Sequence, residues 1–379
     1  MKWIKCFILL LGFLQSFSYA QNLPKYGTEN TIEICNWNIE WFGKKGFGPS
    51  NKTLQKENVG KFISETNIDI IAFQEVANRL FFDTMMQGIP NYRYVIANYG
   101  AEQKTAVVFN DSQFKLHKSG LLANGVIDSF STGRYPLLVE LISKTNIKDT
   151  LLLIVLHLKS NFGSDAEKAE AYNSRKKSLT WLKNYCNAFL QNKNFILLGD
   201  FNDDLDQSIY KGLPSPLASL LYQNNPKYYF LTERLTQNKI PTTVSYPTAI
   251  DHQMVSEGLK NRLFSGADTI NLKGYFSNYA TNTSDHYPVI SKFKNLRLSL
   301  YPLSTNTIEI YPNPAQNYFE IKNWAANMSI EIFSVDGKLV KGFDVKNNLV
   351  LTDKIPNGIY FLRIKDSNKV LNYKFIINK

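Results

Sequence analysis

The sequence predicts an α/β fold: a four-layered sandwich of two packed, mostly antiparallel sheets flanked by helices, followed by a small all-β sandwich. Three observations predict this fold. Continuous apolar strands alternate with helical patterns up to about Leu300. Such strands are buried on both faces, as in two packed sheets that helices cover. After Leu300 the helical patterns stop, and short strands alternate with turns.

Strand and helix patterns follow one another along the first part of the chain. Thr31–Ile39 is apolar and rich in β-branched residues, which predicts a strand, and apolar residues recur at helical spacing through Asn51–Asn67. A buried-strand run over Ile68–Phe73 follows, and a long helix is predicted over Ser164–Leu190. The further predicted strands are Thr105–Phe109, Leu137–Ile142, Leu151–Leu156, Phe195–Leu198, Tyr228–Leu231, Ala249–Val255 and Pro288–Phe293.

Two boundaries divide the chain into a leader and two domains. Lys2 and Lys5 precede an apolar stretch that ends in small residues at Ser18-Tyr19-Ala20, which predicts an export signal over residues 1–20. The apolar stretch is too short to span a bilayer, and nothing later approaches that length. We therefore expect a secreted, soluble protein with a catalytic domain over residues 21–300 and a β-domain over 307–379.

Charge and cysteine content limit the classes of partner and fold. The formal net charge of +11 favours polyanions, such as nucleic acid or an anionic membrane surface. The basic run Arg175-Lys176-Lys177 is interpreted as a solvated helix face. Cys35 and Cys186 do not make a disulfide framework, and we expect two separate buried thiols.

Polar residues recur where the apolar strands end, which is where α/β folds place their sites. Carboxylate and amide oxygens are ligands for hard cations, so Glu75, Asp285 and Asn38 are candidates to bind a metal. Asp200 could take a proton from an attacking water while Asn202 donates a hydrogen bond to a phosphate oxygen.

Two histidines complete the candidate site. Asp251 and His286 could form a pair in which the carboxylate fixes one ring nitrogen and the other faces a phosphate or a leaving group. His157 is a candidate second phosphate ligand. Together these residue types predict cleavage of a phosphate ester.

Five motifs in order resemble those of the endonuclease/exonuclease/phosphatase superfamily. They are Asn36-Trp37-Asn38-Ile39, Ala72-Phe73-Gln74-Glu75-Val76, Gly199-Asp200-Phe201-Asn202, Ile250-Asp251-His252 and Ser284-Asp285-His286. The resemblance runs from about Ile32 to Phe293. It implies a phosphodiesterase that depends on Mg²⁺ or Mn²⁺, with Ca²⁺ as an alternative.

The resemblance also implies residue roles and reveals two departures from the family pattern. Arg134 matches an arginine that contacts phosphate in the deoxyribonuclease branch, and His157 matches a phosphate-contacting histidine there. In that branch a glutamate holds this histidine, whereas here only Glu102 or Gln103 lies nearby in sequence. Gln253 places a polar side chain in a strand that is usually apolar.

The C-terminal region resembles the type A sorting domain of type IX secretion, through segments such as Asn313-Pro314-Ala315 and Asn357-Gly358-Ile359-Tyr360. This resemblance implies contact with a secretion machinery and a location outside, or on the surface of, a Gram-negative cell. The alternative is a carbohydrate-binding or surface-binding sandwich that would use residues such as Trp324.

The leading functional hypothesis is a secreted nuclease that cleaves DNA or RNA and is a monomer. One alternative is a sphingomyelinase-like enzyme, which needs an exposed apolar loop to dock on a membrane. Leu80-Phe81-Phe82 is its candidate loop, although Leu80 and Phe82 are expected to be helical and buried. The second alternative is a non-catalytic secreted binding protein on the same fold.

Overall fold

A computed structural model describes most of the chain in ten segments. They are residues 22–28, 30–123, 130–144, 150–191, 193–221, 227–294, 309–322, 324, 328–366 and 369–379. The predicted export signal and the predicted boundary at residues 301–306 lie outside the described residues.

The first domain contains twelve strands and seven helices among its described residues. The strands are β1 Thr31–Phe42, β2 Ile70–Val76, β3 Tyr92–Ile96, β4 Lys104–Asn110, β5 Phe114–Leu121, β6 Leu137–Ser143, β7 Thr150–His157, β8 Phe195–Asp200, β9 Tyr228–Phe230, β10 Asp251–Ser256, β11 Leu263–Thr269 and β12 Val289–Lys294. The helices are α1 Lys52–Thr66, α2 Arg79–Gln87, α3 Asp165–Phe189, α4 Ala218–Leu221, α5 Glu233–Gln237, α6 Glu257–Lys260 and α7 Tyr279–Asn282.

The strands form two six-stranded sheets, in the orders β11-β12-β1-β2-β4-β3 and β5-β6-β7-β8-β10-β9. Within each sheet one central pair is parallel, β1 with β2 and β7 with β8, and the other neighbouring pairs are antiparallel. The carboxyl ends of a parallel pair lie at the same sheet edge. His157 and Asp200, which end β7 and β8, are therefore direct neighbours in register.

The predicted four layers are confirmed. Apolar side chains such as Ile70, Val139 and Leu198 fill the space between the sheets. Helices α1 and α2 cover the outer face of the first sheet, and α3 covers the outer face of the second. A capping box formed by Ser164 and Glu167 starts α3. Cys35 and Cys186 are buried on these two outer faces and are unpaired, as expected.

Some elements were not apparent from the sequence. Most side chains of β5 are exposed, so this strand carries no apolar pattern for sequence analysis to find. The expectation for α2 was half wrong, because Phe82 is fully buried but Leu80 is 76% exposed. Leu80 lies at the start of α2, on the face directed away from the first sheet.

A buried pair of acids lies at the end of β1 and β2 that is remote from the candidate site. The Glu33 side chain is fully buried, and the Asp69 carboxylate accepts a hydrogen bond of 3.2 Å from Glu33 N. Burial, together with the negative charge of Glu33, raises the pKa of Asp69 to about 8. Asp69 therefore stabilises the fold below its unfolded pKa of about 4, and this contribution is lost as the pH rises through 8.

We expect Asp69→Asn to raise the melting temperature at pH 9 by a few degrees and to change it little at pH 4. The amide cannot ionise, and it can donate to Glu33 Oε2, which has no partner among the described residues. Differential scanning calorimetry at both pH values checks this, with the exposed Glu57→Gln on α1 as the control. An equal change at pH 4 and pH 9 would show that ionisation of Asp69 is not the cause.

The C-terminal domain is an all-β sandwich, as predicted. Its strands are β13 Ile310–Tyr311, β14 Tyr318–Ile321, β15 Ser329–Ser334, β16 Leu339–Val340, β17 Asp344–Lys346, β18 Leu349–Leu351, β19 Gly358–Asp366 and β20 Lys369–Ile377. They form two antiparallel four-stranded sheets, β13-β14-β18-β17 and β16-β15-β19-β20. The domain contacts the outer face of α3, where Trp181 Nε1 donates to Val335 O at 2.9 Å.

Within the part of the chain that the structure describes, no helix is both long and apolar enough to cross a membrane.

Candidate active site

Residues from both sheets meet at one edge of the sandwich. Asn38 on β1 donates from Nδ2 to Glu75 Oε1 on β2, at 3.1 Å, and to Asp200 Oδ2 on β8, at 3.0 Å. Asn38 Oδ1 accepts from Glu40 N at 3.0 Å. The amide of Asn38 thus joins Glu75 of the first sheet, a candidate metal ligand, to Asp200 of the second sheet, the candidate general base.

The backbone around these residues adopts unusual conformations. Glu40, Trp41, Glu75 and Asn202 all have positive φ, between 41° and 62°. Non-glycine residues in this region cost free energy and cluster at functional sites. Gly199 has φ 139°, and a Cβ there would lie 2.1 Å from Leu156 O, so the backbone before Asp200 requires glycine.

Asp200 is buried and held through both carboxylate oxygens. Oδ2 accepts from Asn38, and Oδ1 accepts from Asn202 N at 2.8 Å. Asn202 Nδ2 in turn donates to Leu158 O at 3.1 Å, which fixes the 200–202 turn against the end of β7. Burial is the main cause that raises the pKa of Asp200 to about 7, and the nearby Asp251 adds to it.

Asp251 and His286 form the pair that the sequence indicated. His286 Nδ1 lies 2.8 Å from Asp251 Oδ2, so Nδ1 carries a proton, and Nε2 faces the site at 3.9 Å from Asp200 Oδ2. Burial alone lowers the pKa of His286, but the carboxylates of Asp251, Asp285 and Asp200 raise it well above its usual value. His286 is therefore an imidazolium whose free N–H points towards Asp200.

His157 lies in the same site but has an arginine as its partner. Arg134 Nη1 lies 3.1 Å from His157 Nε2 and 3.0 Å from Gln103 Oε1. The same Nη1 lies 3.3 Å from His157 Nδ1, so the guanidinium is close to both ring nitrogens. Burial, with the positive charges of Arg134 and His286, lowers the pKa of His157 well below its usual value. Gln103 thus holds His157 through Arg134, whereas Glu102 pairs with Lys44 at the surface.

Arg134 is buried, and its donors are engaged within the protein. Nη2 donates to Leu158 O at 3.0 Å, and Nε donates to Ser131 O at 3.3 Å. Direct contact of Arg134 with a phosphate stays a prediction. In the structure, Arg134 places a positive charge beside His157, and its bonds to Leu158 O and Ser131 O order the neighbouring loops.

Glu40 is a site residue that the sequence analysis missed. Its Oε2 accepts from Asp285 N at 3.0 Å. Burial and the negative charges of Asp285 and Glu75 raise the pKa of Glu40 to about 7. Glu40 follows Asn38 by two residues, which in a regular strand would place both side chains on the same face. The β1–β2 register breaks after Asn38, so this spacing does not predict the orientation of Glu40.

The site offers donors that suit a divalent cation. Glu40 lies close enough to Glu75 and Asp285 for their negative charges to raise its pKa, and a cation would relieve that repulsion. Ligand atoms of Glu75, His157 and Asp200 lie within 4.8 Å of one another, as do those of Asp200, Asp251 and His286. The Asp285 side chain is 45% exposed at the rim, so the site is open to solvent there.

Gln253, which fitted no role in the sequence, bridges the two sheets. Its Nε2 lies on β10 and donates to Asn36 Oδ1 on β1 at 3.0 Å and to Val289 O on β12 at 2.9 Å. Asn36 and Gln253 each lie two residues from a site residue, Asn38 and Asp251. The bridge therefore links the two strands that carry them.

The interpretation of Arg175 as part of a solvated surface was wrong. Its side chain is fully buried and forms an ion pair of 3.0 Å with Asp203. Lys176 and Lys177, its neighbours on α3, are exposed as expected. A single basic residue at helical spacing from Ala171 and Ser178 on the buried face was the signal, but the adjacent lysines masked it.

The geometry agrees with the comparisons with known proteins. Residues 309–378 match the secretion system C-terminal sorting domain, which confirms the predicted secretion. A comparison with curated proteins found no match. Among solved structures, an endonuclease/exonuclease/phosphatase from Bacteroides vulgatus matches with a TM-score of 0.52 and 13% identity, covering 70% of this chain and 99% of that chain.

Two further solved structures share the fold. Humanized D. rerio TDP2 with 14 mutations matches with a TM-score of 0.50 and 14% identity, over 70% of this chain and 99% of that chain. The catalytic domain of human Nocturnin with a bound sulfate anion matches with a TM-score of 0.50 and 17% identity, over 70% and 93%. Residues 35–286 match the family whose members are hydrolases that often use divalent metals. This chain belongs to the endonuclease/exonuclease/phosphatase family.

Proposed function

We propose that the protein is a secreted, divalent-metal-dependent phosphodiesterase that hydrolyses nucleic acid, DNA or RNA. One observation carries the proposal. A buried carboxylate, an imidazolium and a group of three carboxylates converge at one open edge of the sandwich. These are the parts that metal-assisted attack of water on a phosphodiester requires.

The candidate metal ligands are Glu75 and Asp285, with Asn38 as a ligand or as the group that orients Glu75. We add Glu40 to this set because its carboxylate lies beside both acids. Mg²⁺ or Mn²⁺ fits such oxygen donors, and Ca²⁺ is the alternative. When bound, the cation would neutralise phosphate charge and stabilise the negative charge that develops on the leaving oxygen.

The remaining residues have distinct roles in the proposal. Asp200, with its pKa raised to about 7, accepts the proton of the attacking water near neutral pH. The second N–H of the Asn202 amide and the free Nε2–H of His286 donate to phosphate oxygens. Asp251 keeps His286 protonated and oriented, and His157 Nε2 lies 3.7 Å from Asp200 Oδ2.

Nucleic acid is favoured over phospholipid by the surface of the candidate docking loop. The net charge of +11 suits nucleic acid and an anionic membrane surface alike. Of the candidate docking loop, Leu80 is exposed, but Phe82 is buried and Phe81 packs against Phe42. One exposed leucine does not make a membrane-docking patch. A complete set of polar residues argues against a non-catalytic binding protein.

The proposal is tested with the chain from residue 21 onwards, incubated with supercoiled plasmid, single-stranded DNA and RNA in Mg²⁺ or in EDTA. Metal-dependent cleavage of a nucleic acid supports it, and Asp200→Asn is the inactive control. Release of phosphocholine from sphingomyelin liposomes, with all nucleic acids intact, would favour the lipid alternative. No hydrolysis of any diester would reject catalysis.

The domain boundaries are part of the same proposal. The catalytic unit is proposed to span residues 21–300 and the sorting unit 307–379, with residues 1–20 removed on export. The two family matches, over 35–286 and 309–378, support this division.

Phe162 is expected to contact a substrate base. It lies in the loop after His157, at the catalytic edge, and is 85% exposed. Stacking of a base on an aromatic ring contributes about 1–3 kcal/mol. We therefore expect Phe162→Ser to raise KM for a single-stranded oligonucleotide at least about fivefold and to leave hydrolysis of bis(p-nitrophenyl) phosphate unchanged.

The matched control is Phe264→Ser. Phe264 is also exposed, but it begins β11, at the end of the first sheet remote from the site. Equal KM values for Phe162→Ser and the wild type on the oligonucleotide would show that the loop does not contact bases.

A further inference from the structure

Arg175 occupies a position that the roles above do not explain. It lies in the middle of α3, and both its side chain and that of its partner Asp203 are fully buried. Moving two charges out of water costs more than an ion pair usually returns, and apolar residues of the same size would often be as stable. A buried ion pair therefore points to a role beyond stability.

The guanidinium contacts two different loops at once. Its Nε donates to Asp203 Oδ2 at 3.0 Å, and its Nη1 donates to Lys159 O at 2.9 Å. Asp203 directly follows Asn202, and Lys159 lies two residues after His157. Arg175 is thus the group behind the site that holds the loop after β8 against the loop after β7.

Further hydrogen bonds hold Asp203 in place, so that the contact with Arg175 can fix the position of its neighbour Asn202. Ser208 Oγ donates to the Asp203 carboxylate at 2.9 Å, and Ile209 N donates to it at 2.8 Å. Asp203 O accepts from His252 Nε2 at 3.0 Å, which ties the same residue to β10, next to Asp251. Asp203 is therefore fixed through both its side chain and its backbone, one residue from Asn202.

The residue that these hydrogen bonds would position is Asn202. Asn202 Nδ2 reaches across to Leu158 O, and Asn202 keeps a positive φ of 52°. Without a fixed neighbour, a residue in this conformation would relax to a more common one. The amide that faces the phosphate would then move.

We propose that Arg175 is a positioning residue that sets the geometry of Asn202 through Asp203. This inference rests on the proposed phosphodiesterase function. Arg175 itself touches no substrate, because α3 and the two loops enclose it. Together with the bond from Asn202 Nδ2 to Leu158 O, it holds the turn that carries Asn202 against the loop that follows His157.

The test variant is Arg175→Lys in the full chain, assayed with bis(p-nitrophenyl) phosphate. Lysine keeps the positive charge near Asp203 but lacks the planar fork that reaches Lys159 O as well. Misplacement of catalytic groups by about 1 Å can cost up to 10²-fold. We expect kcat to fall about tenfold or more, with KM and the Mg²⁺ concentration for half-activation unchanged. Lys176→Met, which removes an exposed charge one residue away, is expected to leave all three values unchanged.

A double-mutant cycle with Asn202→Ala separates positioning from general support of the fold. If Arg175 acts through Asn202, the double variant is no slower than Asn202→Ala alone. Additive losses, or an Arg175→Lys protein that is folded and fully active, would overturn the inference and leave the proposed function intact. An inactive wild-type protein would instead reject the proposed function.

Ser208→Ala makes the test independent of the folding of Arg175→Lys. This change removes the hydroxyl that donates to Asp203 and accepts from Tyr210 N, and it leaves α3 unaltered. We expect a fall in kcat of about threefold or more that is again absent in the Asn202→Ala background. An unchanged kcat for Ser208→Ala, together with a misfolded Arg175→Lys, would show that the pair serves stability alone.

Discussion

Replacing Asp200 with asparagine is expected to lower kcat for phosphodiester hydrolysis by roughly 10³-fold and to remove the pH dependence of stability that Asp200 contributes. The loss of activity follows because asparagine cannot accept the proton of the attacking water. Asparagine retains the shape of the side chain, and its Oδ1 can still accept from Asn202 N, but its Nδ2 replaces the oxygen that accepts from Asn38 Nδ2.

The change in pH dependence follows from the pKa of Asp200. Burial raises it to about 7 from an unfolded value near 4, so ionisation opposes folding. The contribution of Asp200 to stability is fully present below about pH 4 and is lost as the pH rises through 7. A neutral amide removes this loss, whereas the contact of its Nδ2 with Asn38 Nδ2 costs stability at every pH. We expect the melting temperature of the variant, relative to the wild type at the same pH, to be higher by on the order of 5 °C at pH 8 than at pH 4 in metal-free buffer.

Calorimetry and initial rates on the same protein samples check both halves of this expectation. Asp206→Asn is the matched control, since Asp206 lies on the same loop but is exposed and donates no group to the site. Full activity of Asp200→Asn would remove Asp200 from the proposed mechanism. The same difference in melting temperature between variant and wild type at pH 4 and at pH 8 would show that ionisation of Asp200 does not oppose folding.

The fold and the location of the site were predictable because both depend on strand burial. Continuous apolar runs marked β2, β7 and β8, and a polar residue directly or shortly after each run, Glu75, His157 or Asp200, lies in the site. The change from apolar to polar residues depends only on where the chain leaves the core, and it is visible in the sequence.

The residues that hold the site residues in position were not predictable, because their contacts depend on the paths of the loops in the folded chain. The helical spacing that places Arg175 on the buried face of α3 was masked by Lys176 and Lys177, and its partner Asp203 comes from the loop after Asp200. The link from Gln103 through Arg134 to His157 joins three separate segments. Glu40 was hidden because positive φ values at Glu40 and Trp41 break the alternation of faces along β1.

Replacing Glu75 with glutamine is the change that most directly tests the metal site. Glu75 Oε1 accepts from Asn38 and Oε2 accepts from Trp41 N at 2.9 Å, so an amide of the same size keeps one of these two bonds and places its NH2 group against the other donor. It loses the negative charge that a divalent cation requires. We expect kcat at a few millimolar Mg²⁺ to fall roughly 10²-fold or more, and the Mg²⁺ concentration for half-activation to rise at least about tenfold.

Binding of Mg²⁺ or Mn²⁺ measured by calorimetry without substrate separates metal affinity from catalysis. Glu102→Gln is the control, because Glu102 lies nearby but pairs with Lys44 at the surface. Weaker binding of the cation to Glu75→Gln, with partial recovery of activity at high Mg²⁺, would place the cation at Glu75. Unchanged binding would move it to the second group of donors, Asp200, Asp251 and His286, whose ligand atoms also lie within 4.8 Å of one another. That outcome would reverse the roles, because Asp200 would then bind the cation and could no longer serve as the base.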